Sequence, residues 1–101
     1  MAAPTAVTSR IERSLHALFA EVRELPSTAE EWSALTDGER AAITLDWDHL
    51  LADYLVELDR FYRAGEMTSE QQERYHDLLQ QLKETKPLFA RLGLLPIPVP
   101  R

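Results

Sequence analysis

Apolar side chains return every three or four positions through most of this chain, a spacing that predicts helices rather than strands. Ile11, Leu15, Leu18, Phe19, Val22 and Leu25 form one stripe on a first helix expected over 9–25. Ser9 and Glu12 stand in capping-box spacing at its start, and Pro26 is expected to stop it, because proline lacks the backbone donor a helix interior needs. The same capping spacing recurs at Ser27/Glu30 and Thr28/Glu31, ahead of Trp32 and Leu35. It predicts a short extra helix over 28–35, with the Trp covering one end of a bundle.

The strongest periodic run is Ile43, Trp47, Leu50, Leu51, Tyr54, Leu55, Leu58, Phe61 and Tyr62. At 100° per residue it covers about 140° of arc, a broad core face rather than a narrow zipper seam. Thr36 and Glu39 supply a capping box, Asp37 complements the helix dipole, and Gly65 fits a left-handed stop. A long second helix is therefore expected over 37–64, about 40 Å from end to end. The connection to Thr68 is short, so a third helix over 68–92 should lie antiparallel to it, with Gln71 or Gln72 completing the cap. Tyr75, Leu78, Leu79 and Leu82 mark its buried side, and Leu88, Phe89 and Leu92 follow a kink at Pro87. Residues 1–7 read as a loose tail. Residues 94–101, with alternating prolines, read as an extended one. The expected fold is thus all-α: a three-helix bundle with a long central helix, an antiparallel helix 2–helix 3 hairpin, a short extra helix and an extended Pro-rich C-terminal tail, all in one domain.

Composition narrows the classes. A chain of 101 residues, 45% of them hydrophobic, has room for one core. The absence of cysteine removes disulfides, thiolate zinc sites and thiol nucleophiles together. The first residues lack a basic, apolar leader pattern, and no apolar run approaches the roughly 18 residues a membrane helix needs. A cytoplasmic protein without membrane contact is the expectation. The net charge of −6 argues against general nucleic-acid binding, since phosphate affinity comes mainly from clustered Lys and Arg.

The one charge pattern worth testing lies on the long helix. Asp46, His49, Asp53 and Glu57 fall within about 80° on the wheel, and carboxylates with a His at such spacing can hold a metal in a helical bundle. A facing helix would have to supply matching ligands, and the third helix offers only the adjacent His76 and Asp77. The plainer expectation is a solvated acidic face, partly paired with Arg from neighbouring helices. The same strip could steer a basic partner, and mimicry of a phosphate backbone by an inhibitor is the extreme of that idea. Leu45, Ala52 and Val56 lie opposite the main core face, to be covered by the first helix or by a second copy of the chain. Ile97 and Val99 in the tail could occupy a groove. No phosphate loop, nucleophile elbow or HExxH pattern occurs, so no catalytic residue and no cofactor is assigned. The sequence reads as a non-enzymatic helical protein-interaction module acting as a homodimer, with a metal-binding protein or metal-dependent enzyme using the carboxylate and His ligands of the long helix, and an acidic nucleic-acid-mimic inhibitor, as alternatives.

Overall fold

The computed structural model describes residues 5–93, and all regular structure among them is helical. Helix α1 spans Thr5–Glu31 and ends in a single 3-10 turn, Trp32–Ala34. A long central rod follows in three joined pieces: α2 (Asp37–Leu50), a π-helical turn (Leu51–Leu55) and α3 (Val56–Arg63). Helix α4 spans Ser69–Leu92. No helix among the described residues is long and apolar enough to cross a membrane.

Side-chain contacts fix the directions. Trp47 meets Phe89 edge to face, with ring centroids 4.9 Å apart, while Tyr62, near the other end of the rod, packs in a tilted contact with Tyr75 near the start of α4. The rod therefore runs antiparallel to α4. It is antiparallel to α1 as well, because Arg10 reaches Glu57 and Glu21 shares a cleft with Asp46. Helices α1 and α4 consequently point the same way, and α1 rather than α3 is the closest backbone neighbour of α4.

One core joins the three. Ile11, Leu15, Leu18, Val22 and Leu25 from α1 pack with Trp47, Leu51, Leu55 and Leu58 from the rod and Tyr75, Leu78, Leu82, Phe89 and Leu92 from α4. Tyr75 is buried, and burial followed by the nearby Asp59 carboxylate pushes its phenol well above the usual value of 10.0.

The helix boundaries differ from the expected ones in two places. Pro26 does not end the first helix: α1 begins before Ser9 and continues through Pro26 to Glu31. The separate helix expected over 28–35 shrinks accordingly to the 3-10 turn. Pro26 leaves the Val22 carbonyl without its usual donor, yet the apolar stripe carries on past it. Leu25 is buried, and Ala29 and Trp32 pack against the core. That packing outweighs the local proline penalty. Thr28 donates its hydroxyl to the Glu24 carbonyl (3.2 Å), as a Thr inside a helix does, instead of capping a new one. Pro87 is likewise accommodated within α4, between buried Leu82 and Phe89.

The expected caps of the rod and of α4 are present. Thr36 and Glu39 exchange both bonds of a capping box, as do Thr68 and Gln71. At the end of α3, Gly65 is left-handed (φ 72°), its N–H donates to Tyr62, and the Glu66 N–H reaches back to Phe61. These are the two bonds of a Schellman motif. Thr5 to Val7, expected within a loose tail over 1–7, belong to α1, whereas residues 1–4 and 94–101, including Ile97 and Val99, lie outside the described residues.

The two glycines flanking the rod should respond oppositely to alanine. At Gly65 the positive φ penalises a side chain, so Gly65→Ala should cost about 1 kcal/mol. Gly38 sits in the first turn of α2, where an added Cβ comes no nearer than 4.0 Å to Thr36 Oγ1, so Gly38→Ala should gain up to about 1 kcal/mol. Chemical denaturation checks both; midpoints moving in the same direction would contradict this account of the caps.

Candidate functional site

A groove runs along the seam between α1 and the rod. Its wider part, a cleft of about 420 Å³, is lined by Ala6, Arg10, Arg13 and Ser14 from α1 and by Asp53, Tyr54 and Glu57 from the rod. A second cleft of about 300 Å³ continues it, lined by Glu21, Asp46, His49, Leu50, Asp53 and Tyr54. The two share Asp53 and Tyr54, which lie within the π-helical turn. There the Val56 N–H bonds to the carbonyl of Leu51, five residues back. The wider turn suits the buried spacing Trp47, Leu51, Leu55, which advances by four at each step.

The groove is electrically divided. At one end the Arg10 guanidinium grips Glu57 through two bonds of 2.9 Å, and Arg60 approaches the same carboxylate at 3.8 Å. Glu57 is thereby committed to fastening α1 to the rod, with its side chain only 13% exposed. At the other end Glu21, Asp46 and Asp53 face the smaller cleft together with His49. They remain dispersed: among the described residues, no three His, Cys, Asp or Glu groups come together where they could hold a metal ion. Of the four residues aligned by sequence, Asp46, His49 and Asp53 share this cleft, while Glu57 belongs to the Arg10 pair. The expected pairing of the acidic face with an Arg from a neighbouring helix is what Glu57 shows.

The groove supplies no nucleophile with a base beside it. Ser14 is buried in the wall of the wider cleft, no imidazole lines that cleft, Glu57 is held by Arg10, and Asp53, the other carboxylate there, makes no hydrogen bond to Ser14. The contribution of α1, namely Arg10, Arg13, Ser14 and Glu21, was not singled out from sequence. Arg10 and Glu57 stand 47 positions apart, and helical periodicity does not connect residues across helices.

The apolar residues set aside from the core are exposed. Leu45 is 54% and Val56 56% accessible, Ala52 between them is exposed too, and α1 covers none of the three. Together with Tyr62, Leu45 and Val56 are the large exposed apolar side chains among the described residues, and all three belong to the rod. Tyr62 is engaged with α4, its hydroxyl 3.1 Å from His76 Nε2.

A second polar cluster has a structural role. Glu12, expected as the capping partner of Ser9, lies one turn or more inside α1 and instead meets the start of α4. It pairs with Arg74 and accepts a hydrogen bond from Gln71 Nε2 at 3.3 Å. The Arg74 bond, opposed by partial burial and aided by Gln71, holds the Glu12 carboxyl below its usual 4.5. Its stabilisation is therefore complete above that pH and is lost as pH falls through the lowered native value. Glu12→Gln should lower stability at neutral pH by about 1 kcal/mol or less, because the pair is open to solvent. Melting curves should show the gap to the parent chain closing under acid; a gap constant with pH would rule the linkage out. Compared with known proteins, the chain matches no protein-family model and shows no significant similarity to curated proteins or to solved structures.

Proposed function

We propose that this chain is a non-enzymatic protein-interaction module whose contact surface is the outer face of the central rod. The observation that carries it is the exposure of Leu45 and Val56, each more than half accessible, on the helix that also anchors the core. Isolated exposed apolar side chains are ordinary. Here two large ones, with the small, exposed Ala52 between them, occupy one element. The groove beside them offers charged walls but no arrangement of nucleophile, base and oxyanion donors, so binding fits the geometry better than catalysis. A second copy of the chain is one occupant that such a face could accept, as an isologous contact between equivalent surfaces.

The reading requires the face to be dispensable for folding and engaged in the cell. Leu45→Ser combined with Val56→Ser should change stability by no more than about 0.5 kcal/mol, as surface substitutions do. A photo-crosslinking residue at Ala52 should capture a discrete product in the native host, whereas one at the exposed Glu73 of α4 should not. Strong destabilisation by the serine pair would make the face structural. Absence of any product at Ala52, or equal products at both positions, would remove the proposal.

A further inference from the structure

We infer that the occupant of this face is a basic amphipathic helix of another protein, an inference that rests on the interaction-module reading. The acids at the two ends of the rod are engaged: Asp37 with Arg40, Asp59 with Arg63, Glu57 with Arg10 and Arg60, and Glu39 with the Thr36 cap. The three in the middle differ. Asp46, Asp48 and Asp53 are exposed, and none of them forms an ion pair among the described residues. No Lys or Arg occurs on the rod between Ala41 and Asp59, and Arg13 of α1, which lines the wider cleft together with Asp53, forms no ion pair with it. These carboxylates border Leu45, Ala52 and Val56. The unsatisfied charge of the face is therefore negative, and it lies beside the apolar contact rather than at a distance from it.

That juxtaposition selects the partner chemistry. Leu45 and Val56 are about 16 Å apart along the rod, three helical turns. Ala52 between them is small and exposed, so it does not block a larger apolar side chain from a partner. A helix laid along the rod presents apolar groups at matching three- and four-residue spacing. Lys or Arg on its flanks would reach the bordering carboxylates, as charged residues do beside a coiled-coil seam, while their methylene stems cover the apolar rim. A second copy fits less well. Pairing the face with itself brings two sets of Asp46, Asp48 and Asp53 together, and like charges within a Debye length oppose association. Nucleic acid is repelled by the same field.

The test uses the full-length, isotope-labelled chain and two synthetic peptides of about 18 residues, long enough for partial helix. Both carry the same leucine stripe; one is flanked by Lys and the other by Glu. The Lys peptide should shift backbone amide resonances of residues 45–56, and the Glu peptide should not. Replacing Asp46, Asp48 and Asp53 by Asn together should weaken the Lys peptide roughly tenfold, the summed effect of three exposed pairs, with the fold verified by its unchanged spectrum elsewhere. Equal response to both peptides, shifts confined to α4, or indifference to the Asn substitutions would each overturn the inference. A concentration-dependent doubling of mass that Leu45→Ser abolishes would also overturn it, by giving the face to a second copy and leaving the module reading intact. Failure of that reading has its own signature, the absence of any crosslink at Ala52.

Discussion

The packing of α1 beside α4, pointing the same way, is the constraint on which the other elements depend. Parallel helices cannot be joined by a tight turn, so the chain between them must travel the length of the bundle and come back. The central rod does this, and it is one long element because the distance is long. The polar relay at one end of the α1–α4 seam sets the axial position of the two helices. Thr68 caps α4, Gln71 completes that cap while its amide reaches Glu12, and Arg74 holds the same carboxylate. Gln71 is nearly fully buried with its bonds satisfied, so sliding α1 along α4 would strand polar groups in the interior.

Given that seam, the rod has two neighbours and therefore three kinds of surface. One side enters the core through Trp47, Leu51, Leu55 and Leu58. A second meets α1 across the groove, where Arg10 and Glu57 close one end. The third faces outward and carries Leu45, Ala52, Val56 and Asp48, while Asp46 and Asp53 stand at its border with the groove. Exposure of apolar groups on this side follows from the helix count. Three helices leave every one of them with an uncovered arc, and among the described residues only the rod's arc holds large exposed apolar side chains.

How much of this was legible in the sequence depended on the range of the signal. Caps are local, and Thr36/Glu39, Thr68/Gln71 and Gly65 appear where their spacing placed them. The core stripes are local too, and their members are largely the buried residues. Pro26 misled because its penalty is local while the packing of Leu25, Ala29 and Trp32 that overrides it is tertiary. Ser9 and Glu12 had the right spacing for a cap, but Glu12 is drawn across to Gln71 and Arg74, residues some sixty positions away. The groove was only half visible. Its rod wall follows from helical periodicity, whereas its α1 wall requires knowing which helices touch and in which direction they run.

The π-helical turn has a consequence for how the two halves of the rod are related. A wheel drawn at a constant angle treats residues 37–63 as a single cylinder with one rotational phase. The widened turn at Leu51–Leu55 breaks that assumption and acts as a phase coupler between an upstream half bearing Leu45 and a downstream half bearing Val56 and Glu57. Closing it to an ordinary α-helix with no residue lost would turn the downstream half by up to about 100°. Glu57 would swing away from Arg10, and Leu58 would leave the core. The length of this one turn, more than the chemistry of any single side chain in it, decides which faces of the two halves look the same way.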